Sequence, residues 1–204
     1  MGFYEERILP RLINRALDTG ECKKYRKRTA AALEGTVLEV GFGSGLNLPF
    51  YPRAVEHIHA IDPSELGREL AAERIAACQV PVSFAGLDGQ RLPMPDASVD
   101  AVLSTWTLCT IPDVDAALRE ILRVLKPGAS LHFLEHGRSA EPGVARWQDR
   151  INPMQRLIGG GCNLNRVIDR HVEDAGLRVD SLETFYMKGP RVFTYMFAGV
   201  AVRP

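Results

Sequence analysis

The stretch Thr36-Val-Leu-Glu-Val-Gly-Phe-Gly-Ser-Gly45 decides the fold of this chain. Its apolar first half predicts a short, buried parallel strand. Gly41, Gly43 and Gly45 follow at alternate positions, and glycine lets a backbone turn sharply and approach a ligand closely. A strand that ends in such a turn directs free N–H groups at a ligand bound at the carboxyl edge of the sheet.

Glu39 and Leu46 restrict which type of ligand-binding loop this stretch can form. Glu39 is an acid at the buried end of the strand, where it can accept a hydrogen bond from a cationic ligand. The dinucleotide fingerprint Gly-x-Gly-x-x-Gly requires glycine at position 46, which is Leu46, so that fingerprint is not met. A plain glycine turn without a ligand is the structural alternative.

Composition argues against several classes of partner. The 204 residues include 25 Lys plus Arg and 25 Asp plus Glu, which fits one domain and gives no cationic excess for nucleic acid. The four cysteines are widely spaced and predict neither a zinc site nor a disulfide framework. Without a signal peptide or a long apolar run, we expect a cytoplasmic protein with no membrane span. The basic run over residues 23–28 predicts a solvated helix face, with weak contact to a membrane surface or a lid role as alternatives.

Strand-like and helix-like segments alternate after Thr36, which predicts an α/β fold with a mainly parallel sheet. The predicted strands cover residues 37–40, 57–61, 82–85, 99–104, 130–134, 178–185 and 192–202, and the predicted helices cover residues 65–77, 114–125 and 165–175.

Two regions flank this core. Apolar residues at helical spacing over residues 3–17 predict an amphipathic helix, bent at Pro10. Prolines and three successive glycines between residues 135 and 165 predict an irregular but structured cap. We therefore expect a single domain, 1–204, divided into a helical lid (1–30), a cofactor-binding core (35–134), a substrate cap (135–165) and a closing helix and strands (166–204).

The motifs of residues 37–135, taken together, resemble the class I S-adenosylmethionine-dependent methyltransferases. Glu39-x-Gly41-x-Gly43-x-Gly45 resembles motif I of that family, and Asp62-Pro63 and Asp88-Gly89 follow the next two strands as in the family. The resemblance implies a Rossmann-like seven-stranded sheet, mainly parallel with an antiparallel last strand and helices on both faces. It also implies S-adenosylmethionine as cofactor and S-adenosylhomocysteine as product.

The resemblance assigns cofactor roles to residues beyond the glycine loop. Asp62, beside Pro63, would hold both ribose hydroxyls, since a carboxylate accepts two hydrogen bonds in a fork. Asp88 and Gly89 would face the adenine, and Thr105 at the end of the fourth strand completes the set. A helix N-cap for Asp62 and a simple Asp-Gly turn are the alternatives.

A finer resemblance concerns the methyl acceptor. Short patches are similar to the thiol S-methyltransferases of the methyltransferase-like group, which methylate hydrogen sulfide and alkyl thiols, although their N-terminal hydrophobic segment is missing here. These patches are Leu108-Cys109, Phe133-Leu134-Glu135-His136, Trp147-Gln148, Gly161-Cys162-Asn163-Leu164 and Arg166. The resemblance implies a small thiol acceptor.

His136 is the candidate catalytic residue. It follows the fifth strand at the carboxyl edge, where ligands bind, and is predicted to act as a base or to orient the acceptor. A local Glu135-His136 pair that holds the cap is the alternative. Tyr4 and Trp147 are candidates for an aromatic acceptor pocket, with core packing as the alternative.

Two other residues are expected to be structural. His132 lies inside a predicted strand and is interpreted as a core histidine. Cys162 has no histidine nearby in sequence and is interpreted as a packed small residue.

Three functions compete with thiol methylation. The acceptor could be an oxygen, nitrogen or carbon atom of a metabolite, quinone or phospholipid. The chain could bind S-adenosylmethionine without catalysis. A nicotinamide oxidoreductase is opposed by Leu46 in the glycine fingerprint.

Overall fold

Seven strands form one sheet in the computed structural model, which describes residues 2–204. They are β1 (Gly35–Val40), β2 (Val55–Ile61), β3 (Val82–Gly86), β4 (Val99–Thr105), β5 (Leu125–His136), β6 (Arg178–Tyr186) and β7 (Tyr195–Val202). Their spatial order is β3-β2-β1-β4-β5-β7-β6. Strands β1 to β5 pair in parallel, and β7 runs antiparallel to both of its neighbours. The predicted sheet, including its antiparallel last strand, is confirmed.

Helices cover both faces of this sheet, as predicted. They are α1 (Leu9–Leu17), α2 (Gly20–Ala30), α3 (Glu65–Ala77), α4 (Val114–Val124), α5 (Pro142–Ile158), α6 (Ile168–Asp174) and α7 (Arg191–Thr194), with a π-helical turn at Tyr4–Ile8 and a 3₁₀ turn at Leu48–Phe50. Leu38 packs in the core beneath α4 and α6, whereas Val37 packs with residues of α2 and α3. This division follows from the alternation of side chains along a strand.

The strand order places a ligand crevice at the end of β1. The chain passes from β1 to β2 and β3 on one side of β1, and then continues with β4 on the other side of β1. Ligands of open α/β sheets bind at such a switch point. The β1–β4 register pairs Val40 with Ser104, so the following Gly41 and Thr105 meet at the edge.

The flanking regions differ from their predictions. The segment after β5 is not an irregular connection, because α5 occupies 17 of its residues with Pro153 inside the helix. Proline removes one backbone hydrogen bond but does not end a helix that is held by tertiary contacts. The N-terminal helix changes from a π-helical turn to α1 just before Pro10, where proline suits the first turn.

Some predicted boundaries are also displaced. Helix α6 begins at Ile168, three residues after the predicted start, and α7 forms the first part of the predicted last strand. Among residues 2–204, each helix is too short or too polar to cross a lipid bilayer.

Candidate active site

The glycine loop has left-handed backbone geometry at all three alternate glycines. The φ angles of Gly41, Gly43 and Gly45 are 78°, 53° and 73°. A Cβ atom on Gly41 would lie 1.8 Å from Thr107 Oγ1, whereas a Cβ on Gly43 would meet no atom within 4 Å. Gly43 therefore borders open space, as a loop that approaches a ligand with its backbone requires.

Asp62 joins this loop to the next helix. Its Oδ2 accepts a hydrogen bond of 2.7 Å from the Gly43 amide, and its Oδ1 accepts one of 2.8 Å from the Ser64 amide. Burial raises the pKa of Asp62, and these two amides partly offset that rise. Ser64 caps α3 through the Gly67 amide, so the alternative of Asp62 as the N-cap is wrong.

Glu39 is held from inside the protein. Asn47 Nδ2 donates to its Oε1 at 2.7 Å, and the Tyr51 hydroxyl donates to its Oε2 at 2.6 Å. Burial raises the pKa of Glu39 to about 7, and hydrogen bonds from Tyr51 and Asn47 and the charge of Arg26 oppose the rise. Glu39 thus fixes the chain after the glycine loop, and its contact with a ligand stays a prediction.

Arg26 is a site residue that the sequence interpretation missed. It lies in the basic run predicted to be a solvated helix face, yet its residue exposure is only 4%. Its guanidinium donates to Asn47 Oδ1 at 2.7 Å and to Thr105 Oγ1 at 2.8 Å. Desolvation lowers the pKa of Arg26 to about 10. The signal was the four-residue spacing of the buried stripe Cys22-Arg26-Ala30 on α2.

The remaining predicted cofactor residues lie around this network. Thr105 accepts hydrogen bonds from Arg26 and Asn47, and Pro63 is exposed beside Asp62. Asp88 is exposed, and its Oδ1 accepts a hydrogen bond from the Gln90 amide at 2.8 Å. A Cβ on Gly89 would lie 3.0 Å from Val40 Cγ1, so this turn packs on the end of β1.

His136 lies beside two cysteines at the end of β5. Its Nδ1 is 3.5 Å from Cys162 Sγ, and Cys162 Sγ is 3.6 Å from Cys109 Sγ. The hydrogen bond with Cys109 and the nearby imidazole lower the pKa of Cys162, and burial opposes this shift. The interaction with Cys162 and burial raise the pKa of Cys109. Cys162 is buried with Cys109 and Leu164, as interpreted from the sequence, and it also lies beside the His136 imidazole.

Glu135 points away from His136, so the alternative of a local Glu135-His136 pair is also wrong. The Oε1 of Glu135 accepts hydrogen bonds from the Ser104 hydroxyl at 2.8 Å and the Thr107 amide at 3.1 Å. Its Oε2 accepts one from the Cys109 amide at 3.2 Å. Glu135 thereby fixes the loop after β4. His132 is buried as interpreted, with Nδ1 3.1 Å from the Thr29 carbonyl.

The two aromatic candidates lie on the flanking helices. The Tyr4 hydroxyl donates to the Ile158 carbonyl at 2.8 Å, which links the N-terminal segment to the end of α5. A pocket of about 450 Å³ lies there, lined by Gly2, Tyr4, Glu5, Leu157 and Ile158. Trp147 is 57% exposed on α5, with the Arg150 guanidinium 5.4 Å from its ring centroid. Acceptor binding by Tyr4 and Trp147 stays a prediction.

Residues 38–133 match the family described as a methyltransferase domain. The matched stretch runs from β1 into β5 and includes the glycine loop, Asp62 and the end of β4. These residues thus form a methyltransferase domain, and the chain is similar to the class I S-adenosylmethionine-dependent methyltransferases. S-adenosylmethionine is the cofactor of this class.

Three proteins illustrate what this chain is similar to. Human thiol S-methyltransferase TMT1A is 36% identical over 138 residues, which are 64% of this chain and 55% of the human protein. Phosphatidylethanolamine N-methyltransferase of Cereibacter sphaeroides is 28% identical over 176 residues, which are 84% of each chain. The structure of the [4+2]-cyclase SpnF is similar with a TM-score of 0.71 at 23% identity, over 90% of this chain and 81% of the cyclase. The chain spans little more than half the length of the human methyltransferase, and the cyclase shares the fold alone.

The residues at the edge fit the methyltransferase cofactor. Gly43 leaves open space beside the loop, and the Asp62 carboxylate is anchored next to it. Arg26 provides a buried cation whose Nε has no hydrogen-bond partner among residues 2–204. A ligand with a carboxylate and ribose hydroxyls offers partners for both side chains.

Proposed function

We propose that this methyltransferase transfers the methyl group of S-adenosylmethionine to the sulfur of a small thiol. The observation that carries the proposal is the imidazole of His136 at the carboxyl end of β5, on the edge that also holds the glycine loop. The similarity to human thiol S-methyltransferase TMT1A supports sulfur as the acceptor atom.

The cofactor side of the site holds and aligns the methyl donor. Asp62 binds the ribose hydroxyls, the Asp88-Gly89 turn faces the adenine, and the backbone at Gly41, Gly43 and Gly45 contacts the rest of the cofactor. Glu39 and Thr105 fix this arrangement through Asn47 and Arg26. Alignment of donor and acceptor contributes about 7–11 kcal/mol in well-oriented reactions.

The acceptor side supplies a reactive sulfur. S-adenosylmethionine carries its methyl group on a sulfonium, so the departing thioether needs no proton. A thiol becomes nucleophilic on losing its proton, and a free thiol ionises near pH 8.5. His136 removes that proton or holds the acceptor in its ionised form, and Tyr4 and Trp147 border the acceptor pocket.

Methyl transfer to a panel of acceptors tests this proposal. Small alkyl thiols, a phenol, an amine and a quinol are incubated with the methyl donor, and S-adenosylhomocysteine and the methylated product are both measured. We expect the thiols to give the highest kcat/KM. Methylation of a phenol, amine or quinol but no thiol would contradict sulfur as the acceptor atom.

A second candidate is N-methylation of a phospholipid headgroup. The Cereibacter sphaeroides phosphatidylethanolamine N-methyltransferase matches 84% of this chain, more than the human thiol enzyme does. Phe3, Leu12 and Leu157 also expose apolar side chains near the cap. Vesicles with and without phosphatidylethanolamine in the same panel separate the two, because only this candidate predicts methylated lipid.

A further inference from the structure

Three potential metal ligands meet at the acceptor side of the site. Cys109, His136 and Cys162 each offer a ligand atom, and these atoms all lie within 4.8 Å of one another. They come from three separate parts of the chain, which are the loop after β4, the end of β5 and the turn after α5. The widely spaced cysteines predicted no zinc site from sequence, but the fold places two of them beside a histidine.

Two of the three separations between these atoms match the edges of a zinc tetrahedron. Zinc binds cysteine sulfur at about 2.3 Å and histidine nitrogen at about 2.0–2.1 Å. At tetrahedral angles two such sulfurs are about 3.8 Å apart, and a sulfur and a nitrogen are about 3.5 Å apart. The sulfurs of Cys109 and Cys162 are 3.6 Å apart, and Cys162 Sγ lies 3.5 Å from His136 Nδ1.

Backbone contacts fix the two cysteines independently of any ion. The Cys109 carbonyl accepts hydrogen bonds from the Asn163 amide at 2.8 Å and from Asn163 Nδ2 at 3.1 Å. Gly161 has a φ of 86°, and a Cβ there would lie 2.9 Å from the Thr110 carbonyl oxygen. Glycine thus allows the turn that bears Cys162 to pack closely against the loop that bears Cys109.

Charge balance also suits a divalent cation. Two cysteine thiolates and a neutral imidazole neutralise one Zn²⁺, which reduces the cost of burying the ion. Both cysteines are buried, whereas His136 is partly exposed and borders the acceptor side. Three protein ligands leave a fourth position open, as in catalytic zinc sites.

We propose that Cys109, His136 and Cys162 bind a zinc ion whose fourth position accepts the sulfur of the methyl acceptor. Binding of the acceptor sulfur to the ion rests on the proposed function, whereas binding of zinc by the three side chains does not. His136 then acts by holding the ion, and the ion ionises the acceptor.

The reaction balances without an oxidant or reductant. The S–H bond of the acceptor breaks as its sulfur coordinates zinc, and the proton leaves to solvent. A lone pair of this sulfur then forms a bond to the methyl carbon. The bond from that carbon to the sulfonium breaks, and its electron pair stays on the sulfur of S-adenosylhomocysteine.

Metal titration tests the site without any turnover. The full chain is reduced with a phosphine and freed of metal, and Zn²⁺ affinity is measured by competition with a chromophoric chelator. Co²⁺ is added in parallel, because a tetrahedral thiolate site gives intense visible and near-ultraviolet cobalt bands. We expect one ion per chain, with cobalt spectra that report sulfur ligands.

Matched variants identify the ligands. Cys109→Ser, Cys162→Ser and His136→Gln are each expected to weaken zinc binding by more than about 100-fold, the upper range for the loss of an outer partner of a metal site. Cys22→Ser is the control, because Cys22 is also buried but lies on α2 outside the cluster. Circular dichroism verifies that each variant is folded. If Cys109→Ser does not fold, Cys109→Ala takes its place.

The outcomes separate the metal site from the proposed function. Absence of stoichiometric binding by the reduced chain, or full binding by the cysteine variants, overturns the site. A reduced chain that binds no metal and forms a Cys109–Cys162 disulfide in air would instead make these cysteines a redox pair. Tight zinc binding without thiol methylation refutes the function and keeps the site. Unchanged thiol methylation by metal-free protein removes zinc from the reaction and keeps the function.

Discussion

The cofactor side and the acceptor side of the sheet's carboxyl edge are formed by different kinds of side chains. On the cofactor side, the side chains of Glu39, Asn47, Asp62 and Thr105 make hydrogen bonds of 2.6–3.0 Å to one another or to nearby donors. On the acceptor side, the Cys162 sulfur lies 3.6 Å from the Cys109 sulfur and 3.5 Å from the His136 imidazole. The first set is a network of short polar contacts, which suits holding a ligand in one position. The second is a cluster of soft, ionisable atoms, which suits reaction.

The two sides also differ in how the chain assembles them. Most of the cofactor side comes from the continuous stretch between β1 and the start of α3, whereas the acceptor cluster joins positions 109, 136 and 162. Substitutions on the cofactor side should therefore change binding of the methyl donor, and substitutions on the acceptor side should change turnover. The following predictions test that division.

The largest effect is expected at His136. His136→Gln should lower kcat/KM for a thiol by about 10²–10⁴ at neutral pH, because the acceptor is no longer held in its ionised form. The loss should shrink as the pH approaches the thiol pKa of about 8.5. Rate measurements from pH 6 to 9.5, with calorimetry of the methyl donor, check both points. A uniform loss at every pH, or a large loss of donor affinity, would place His136 outside this role.

Gly43 should give the largest effect on donor binding. Gly43→Ala places a methyl group in the open space beside the loop and should weaken binding at least about 100-fold, or about 2.7 kcal/mol. Gly128→Ala is the matched control, since Gly128 also has a positive φ of 79° and no atom within 4 Å of the added Cβ, but lies at the opposite edge of the sheet. Equal losses in the two variants would attribute the effect to backbone strain.

Asp62 should have a somewhat smaller effect on the same measurement. Asp62→Ala should weaken donor binding by roughly 1.5–3 kcal/mol through loss of hydrogen bonds to a charged group. The Gly43 amide also loses its acceptor, so Ser64→Ala, which removes the cap of α3, controls for local loosening. Calorimetry that gives the same affinity for Asp62→Ala and the native chain would refute the ribose assignment.

The sequence predicted the elements around the glycine loop well because their signals are local. The glycines after β1, the acid after β2 and the helix-forming run after it lie within 45 residues, and each obeys short-range backbone rules. The mainly parallel sheet followed from the alternation of strands and helices, and its antiparallel last strand from the family resemblance. Boundaries failed where tertiary contacts dominate, as in α5, which retains its helix despite Pro153.

The acceptor cluster could not be predicted for a related reason. Cys162 has no histidine near it in sequence, and only the close packing of Gly161 on Thr110 brings it to Cys109 and His136. Arg26 was missed because a basic run usually faces solvent. Its burial depends on Asn47 and Thr105, which lie 21 and 79 residues away.

Glu39 should make the cofactor side sensitive to pH. Its pKa is raised from 4.5 to about 7 in the folded protein, so the protonated form is favoured by folding. Protonated Glu39 stabilises the fold fully below pH 4.5, and this stabilisation, on the order of 3 kcal/mol, is lost as the pH rises through 7. Glu39→Gln should flatten this part of the stability curve. Urea unfolding at pH 5 and pH 8 measures it, and identical slopes for the variant and the native chain would contradict the assignment.

The smallest effect is expected at Tyr4, where the N-terminal segment meets the cap. The Tyr4–Ile158 hydrogen bond joins two surface segments. Its loss should make the free energy of lid closure less favourable by about 0.5–1.5 kcal/mol and leave the melting temperature nearly unchanged. Tyr4→Phe keeps the ring and should reduce kcat several-fold for a thiol acceptor, since a lid that opens more often admits water.

Deletion of residues 1–17 should abolish turnover while the sheet stays folded. If the deleted chain methylates its acceptor normally, the segment is a surface helix, and water is excluded by the cap alone.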